Sequence, residues 1–260
     1  MHTVSITQAI VLFVAAMIAG AINAVAGGGT LVSFPALVWF GVVEKLANMT
    51  STVALLPGSL GGMWGYRREL RAGRRWLVLL VPSVLGGVAG AVLLTQTPAA
   101  TFRTIVPFLI LFATFLFMLQ GQVSRLIKRR EAAGPPGAWL VAAVGLLQLL
   151  IAIYGGYFGA GIGILMLSAL SLLRIDDIHL MNGLKSMLAA SINGVAAFYF
   201  ICAGTVDWPR ALVMVAGSLL GGYAGASVAR RLGQRTVRGI VVCVGLVIAG
   251  VMLYRQFRTE

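Results

Sequence analysis

Ten apolar stretches follow one another along the 260-residue chain, near 5–26, 28–43, 46–66, 75–95, 100–121, 138–157, 160–173, 178–203, 208–230 and 235–256. Most reach the roughly 20 residues that a helix needs to cross the hydrocarbon of a bilayer. The second and seventh, at about 14–16 residues, are shorter than a comfortable span, and a glycine cluster breaks the chain at each. Unwound backbone at membrane depth survives only where it lines a cavity or lies inside protein, so half-helices or re-entrant pieces are expected there. The pattern predicts an all-α polytopic membrane protein with no large soluble domain.

The two glycine clusters correspond. Gly27-Gly28-Gly29-Thr30-Leu31 has a partner about 134 residues later in Gly161-Ile162-Gly163-Ile164-Leu165. At nearly the same offset Asn48 meets Asn182, and Ser83, Gly86, Gly87 and Gly90 meet Ser218, Gly221, Gly222 and Gly225. Glycine, asparagine and serine carry the agreement, which sets it apart from the chance likeness of any two leucine-rich helices. The chain therefore reads as a first transmembrane repeat over 1–122, a linker over 123–137 and a second repeat over 138–260. In the linker Arg125, Lys128, Arg129 and Arg130 precede Gly134-Pro135-Pro136-Gly137, a basic and helix-breaking run. Gly86 with Gly90 and Gly221 with Gly225 form GxxxG pairs that let helices approach closely in lipid. Pro57, Pro82 and Pro107 are expected to kink their helices.

Composition agrees with the pattern: 59% of residues are hydrophobic and 10% charged, far from the balance of a soluble domain. A net charge of +13 could suit nucleic acid, but the basic residues sit in short clusters between apolar stretches, as expected of cytoplasmic loops. Nucleic acid is excluded as a partner on that pattern, and the lipid bilayer takes its place. Arg67, Arg68, Arg71, Arg74 and Arg75 follow the third stretch, whereas the matching turn of the second half, Gly204 to Trp208, carries Asp207 and no base. After the fourth stretch the bias reverses: Thr95 to Ala100 is neutral, and its counterpart holds Arg230, Arg231, Arg235 and Arg238. Two inverted-topology repeats of about five helical segments each, with the broken helices at their interface, account for both reversals. The basic loops and the linker are then cytoplasmic and both termini outside. Arg255 and Arg258 argue against that orientation, and a parallel pair of four-span halves is the alternative. Met1 to Gln8 contains no lysine or arginine, so the first stretch is read as retained and not as a signal peptide. Cys202 and Cys243 lack metal-ligand or CxxC spacing and are expected to be small buried hydrophobes.

Polar residues within the apolar stretches nominate a site. Asn182, Lys185, Ser186, Ala189 and Asn193 recur at helical spacing and form one narrow stripe; Asn48, Ser51, Thr52 and Ser59 do the same in the third stretch. Each stripe follows a glycine break, so opposed repeats could bring both stripes and both breaks to one midplane cavity. Half-helices starting after Gly28-Gly29 and after Gly161-Gly163 would present free N–H groups and the positive end of a dipole to an anion. Thr30, Asn23 and Tyr157 add neutral donors. The candidate substrate-binding residues are thus Asn23, Gly28, Gly29, Thr30, Asn48, Ser51, Thr52, Tyr157, Gly161, Gly163, Asn182, Lys185, Ser186 and Asn193. Lys185 has two readings, contact with the substrate or snorkelling to the interface from a helix end. Asn182 and Asn193 could equally be interhelical hydrogen-bond partners. Asp176 and Asp177 beside His179 are read as a helix cap.

These residues carry a resemblance. Ala21 to Leu37, with Asn23 and Gly27-Gly28-Gly29-Thr30, then Ala47-Asn48 and Tyr66-Arg67-Arg68-Glu69-Leu70, resemble the amino-terminal half of the sulfite exporter TauE/SafE family. Asn182-Gly183-Leu184-Lys185, Asn193, Gly204 to Trp208 and Gly221 to Ala226 are similar to its later motifs, so the resemblance covers nearly the whole chain. It implies a bacterial inner-membrane permease exporting sulfite, sulfoacetate or a related organosulfur anion. The chain departs from a common family pattern in having Asn23 where an aspartate is often found and Met49-Thr50 where a lysine often follows the asparagine.

Glu44, Glu69, Glu131, Asp176, Asp177, Asp207 and Glu260 all fall in loops or segment ends, which disfavours a carboxylate proton relay and favours uniport-like export driven by membrane potential. An importer or ion-coupled carrier of small carboxylates is the alternative. An enzyme is disfavoured because His2 and His179 are the only histidines and neither GxSxG nor HExxH occurs. Nothing in the pattern calls for a cofactor or a metal. A non-transporting scaffold would explain the GxxxG pairs but not the paired breaks. The oligomeric state stays open, a homodimer included.

Overall fold

Each of the ten apolar stretches becomes a helix in the computed structural model, which describes residues 4–25, 27–129, 137–173, 175, 177–232 and 234–258. The first half comprises α1 (Ile6–Val25), α2 (Thr30–Trp39), α3 (Glu44–Gly65), α4 (Arg67–Ala72), a 3₁₀ segment (Arg74–Leu79), α5 (Leu80–Gln96) and α6 (Ala99–Arg129). The second comprises α7 (Ala138–Tyr157), α8 (Ile162–Leu172), α9 (Ile178–Cys202), α10 (Trp208–Leu232) and α11 (Gln234–Arg258). No strand forms among the described residues. The spans Ile6–Ala24, Arg74–Gln96, Ala99–Leu119, Ala138–Tyr157 and His179–Cys202 are long and apolar enough to cross a membrane. α6 reaches Arg129, so the helix covers the first part of the expected linker; 130–136 lie outside the described residues.

Local chemistry explains the interruptions. α1 stops before Gly27, whose φ of +73° is open to glycine and strained for other residues. α8 is preceded by Gly161 with φ +78°, so the two matching glycines adopt the same left-handed conformation. α2 and α8 are 10 and 11 residues long, too short for a full crossing. Asp177 caps α9 by accepting from the His179 N–H at 2.7 Å. Pro57 and Pro107 lie inside α3 and α6. Pro82 lies just after the point where the 3₁₀ segment passes into α5.

Close backbone packing pairs the halves. α5 lies along α7 with the same polarity: Gly86 faces Ala152 and the Leu149 carbonyl, and Gly90 faces Ile153 and Tyr157. α1 lies along α10 in the same way, Phe13 over Gly217 and Met17 over Gly221. Small residues let the helix axes approach where lipid supplies no hydrophobic drive. α3 and α9 pack with opposite polarity, since Gly183 meets Tyr66 and Leu70, Gly194 meets Leu56, and the Asp207 N–H donates to Thr50 Oγ1 at 3.1 Å. Every major contact of one half has a counterpart in the other: α1–α10 with α7–α5, α3–α10 with α9–α5, α2–α11 with α8–α6.

Cys202 and Cys243 are exposed, against the expectation of burial. In lipid a small apolar thiol gains nothing from the interior, because the surroundings are as apolar as the core. The packing role of the glycines is testable. Gly90→Ala puts a methyl within 2.7 Å of the Tyr157 nitrogen, whereas at Gly250 nothing stands within 4 Å. Thermal unfolding in detergent is expected to show a loss of roughly 1–3 kcal/mol for Gly90→Ala. Gly250→Ala should be neutral or stabilising by up to about 1 kcal/mol through helix propensity.

Candidate functional site

The two breaks touch. A Cβ on Gly27 would stand 2.9 Å from the Gly163 Cα and 3.2 Å from its nitrogen, so the unwound backbone after α1 lies directly on the first turn of α8. α6 supports both from behind: Gly28 is packed on the Phe117 ring, and Gly161 rests on Ala113 and Leu116. The Tyr154 hydroxyl donates to the Ala160 carbonyl at 2.8 Å and braces the second break.

Beside this contact is a small, partly open cavity. Asn23, Thr30, Gly163, Lys185, Ser186 and Asn193, all among the sequence candidates, line it. Gly27, Gly58, Ser59, Gly159, Ile162 and Ala189 complete most of the wall. Lys185 is only 2% exposed, which overturns the snorkelling reading: its side chain stays in the protein instead of running to the interface. A buried ammonium is tolerated only with compensating partners, and the cavity wall beside it carries the hydroxyls of Thr30, Ser59 and Ser186 and the amides of Asn23 and Asn193. Among the described residues the lining contains no aspartate or glutamate. The starts of α2 and α8 contribute Thr30, Ile162 and Gly163, first-turn positions whose N–H groups lie at the positive end of a helix dipole. One donor of the α2 start is already used, since Asn23 Oδ1 accepts from the Gly29 N–H at 2.8 Å.

The other candidates do not line the cavity. Gly28, Gly29 and Gly161 shape the breaks, Gly29 by lying against the Ala19 carbonyl. Asn48 is buried, and its Nδ2 donates to the Tyr157 carbonyl at 2.9 Å. Ser51 and Ser33 share a hydroxyl hydrogen bond at 2.6 Å. Thr52 bonds back to the Asn48 carbonyl of its own helix at 2.9 Å, and Asn182 is half-buried on α9. The cavity meets only the end of the α3 stripe, Gly58 and Ser59, but takes the α9 stripe from Lys185 to Asn193. Ser59 belonged to the recognised stripe but not to the candidate set. The offset of about 134 that pairs Asn48 with Asn182 also pairs Ser59 with Asn193 and could have found it.

Apolar helices surrounding a polar pocket where two broken helices meet define a multi-pass α-helical membrane protein of the solute-transporter class. Residues 12–252 match the sequence model described as "Sulfite exporter TauE/SafE", and the chain belongs to that family of membrane transporters. It is 27% identical over 251 residues to the probable membrane transporter protein YfcA of Escherichia coli K12, covering 96% of this chain and 91% of that one. It is 28% identical over 249 residues to a probable membrane transporter protein of Haemophilus influenzae, covering 95% and 94%. Against the probable membrane transporter protein YunE of Bacillus subtilis the identity is 24% over 270 residues, covering 94% and 97%.

Proposed function

We propose that this chain is a bacterial inner-membrane permease, not an enzyme, that exports a small organic or sulfur-containing oxyanion such as sulfite or sulfoacetate. The observation that carries the reading is the burial of Lys185, at 2% exposure, in a cavity formed where the two glycine breaks meet. A buried cation beside hydroxyl and amide groups, with helix starts directed at the same space, favours an anion. The family's description as a sulfite exporter is the source of the proposed cargo.

The repeats over 1–122 and 138–260 are read as inverted. α3 and α9 are sequence counterparts, and their opposite polarity is what an axis in the membrane plane would produce; a parallel duplication would leave such a pair aligned. The basic loops then face the cytoplasm and both termini the outside. Export follows from rocking of one half against the other about the glycine breaks.

An interior-negative potential contributes about 2.3 kcal/mol per charge per 100 mV to anion exit, so no coupling ion is required. In proteoliposomes loaded with sulfoacetate, efflux is expected to accelerate when a potassium diffusion potential makes the lumen negative. It should be indifferent to a pH gradient at clamped potential. Strict dependence on the proton gradient would replace the uniport by an ion-coupled carrier.

A further inference from the structure

The arginines between α3 and α5 have no acid to face. Arg67, Arg68, Arg74 and Arg75 are exposed, and among the described residues none of the four pairs with a carboxylate. Two of them are held in place by indoles. Arg67 lies over the Trp64 ring at 5.5 Å and donates to the Trp64 carbonyl at 3.1 Å, and Arg75 lies over the Trp76 ring at 4.6 Å. Trp76 is buried in the core that includes Leu184 and Leu188, so the platform under Arg75 is firm. The turn itself is pinned to α9, Gly73 against Leu180 and Gly183 against Tyr66 and Leu70. A guanidinium engaged with a ring face keeps N–H donors for a further acceptor.

Beyond these arginines the chain turns apolar at once. The span Arg74–Gln96, long and apolar enough to cross a membrane, starts at Arg74, so Arg74 and Arg75 stand where hydrocarbon gives way to headgroups. Leu77, Val78, Val81, Leu85 and Val88 follow at helical spacing and are all exposed, a stripe that runs from the arginines along α5. Unpaired cations at the head of an outward apolar stripe match a molecule with an anionic head and an acyl chain. We infer that Arg74 and Arg75 hold the phosphate of an anionic phospholipid whose chain lies along the α5 stripe, with Arg67 and Arg68 adding to the attraction. The stripe separates this from a site for a free anion, which has no use for an apolar face. The charge separates it from ordinary lipid contact, because a zwitterionic lipid brings an ammonium that four arginines repel.

Phosphatidylglycerol and phosphatidylcholine titrated into the delipidated full chain in detergent, with bound lipid counted by native mass spectrometry, test the site. The first phosphatidylglycerol is expected to bind about 10-fold or more tightly than phosphatidylcholine, and Arg74→Gln with Arg75→Gln should weaken it by about 10- to 30-fold while leaving phosphatidylcholine unchanged. Arg67→Gln with Arg68→Gln, a second pair in case the first does not fold, should weaken it in the same direction by a smaller factor. Arg125→Gln with Lys128→Gln removes the same charge from the other basic run and should leave the affinity within about threefold. Equal losses from the Arg74–Arg75 and Arg125–Lys128 pairs would mean diffuse charge and overturn the site, as would equal affinity of the unaltered protein for the two lipids. Saturating sulfoacetate should not displace the bound phosphatidylglycerol; displacement would make the arginines a station for free anions and overturn the lipid. The titration itself contains no cargo, so its outcome is independent of which anion the protein exports.

Discussion

Lys185→Met is expected to lower the affinity for sulfoacetate by roughly 10- to 100-fold without unfolding the protein. The first half follows from the charge: hydrogen bonds to a charged partner contribute about 1.5–3 kcal/mol, which converts to that range of affinity. The second half follows from burial. Lys185 is 2% exposed; methionine keeps an unbranched apolar stem that fills the same space, so the fold is expected to survive loss of the charge. Ser186→Ala and Asn193→Ala, which remove neutral donors from the same wall, should weaken binding by only about 2- to 10-fold. Lys185→Arg keeps the charge but changes a compact point donor into a planar fork, so recovery should be partial. Calorimetry of sulfoacetate binding and thermal unfolding of the same samples check the set. Unfolding of Lys185→Met with affinity retained in the folded fraction would make Lys185 a structural residue and end the anion-site reading.

Helix positions were legible because lipid imposes a strict rule on them. Each apolar stretch had to satisfy its own backbone, and the ten stretches return as ten helices with α2 and α8 short, as the glycine clusters required. The element missed was α4, Arg67–Ala72. Its arginines read as a loop, yet Leu70 packs on the second-half core that includes Leu184 and Leu188. The site was legible in kind and only partly in detail. Asn23, Thr30, Gly163, Lys185, Ser186 and Asn193 come together at one cavity, whereas Asn48, Ser51, Thr52 and Tyr157 are drawn into hydrogen bonds elsewhere. A duplicated sequence is nearly symmetric and treats Ser51 and Lys185 alike. What the repeat pattern does not encode is where along each stripe the cavity falls: it takes Ser59 from α3 and Lys185, Ser186 and Asn193 from α9. Cys202 and Cys243 were misjudged for a related reason: apolar residues in lipid have no preferred side.

Among glycines with the same left-handed backbone, Gly27 is expected to be the one that tolerates alanine least. Gly27, Gly41 and Gly204 have φ of 73°, 79° and 67°, so alanine at each suffers the same conformational strain, about 1–2 kcal/mol. Their surroundings differ. Nothing stands within 4 Å of a Cβ at Gly41 or Gly204, whereas at Gly27 the methyl would press on the Gly163 backbone at 2.9 Å. Backbone cannot rotate away as a side chain can, so relief requires the two breaks to separate, an overpacking cost of about 1–3 kcal/mol more. Gly161→Ala should fall between, because its φ of +78° adds strain while its neighbours, Leu116 Cδ1 at 3.4 Å and Ala113 at 3.7 Å, have some freedom to give. Thermal unfolding of the four variants measures the stability order, and sulfoacetate efflux measures the consequence: Gly41→Ala and Gly204→Ala should transport normally, and Gly27→Ala should not. The contrast isolates the contact between the breaks from the strain that all the sites share. If Gly27→Ala proves as mild as Gly41→Ala in both measurements, the two breaks do not bear on one another, and a cavity built on their meeting loses its foundation.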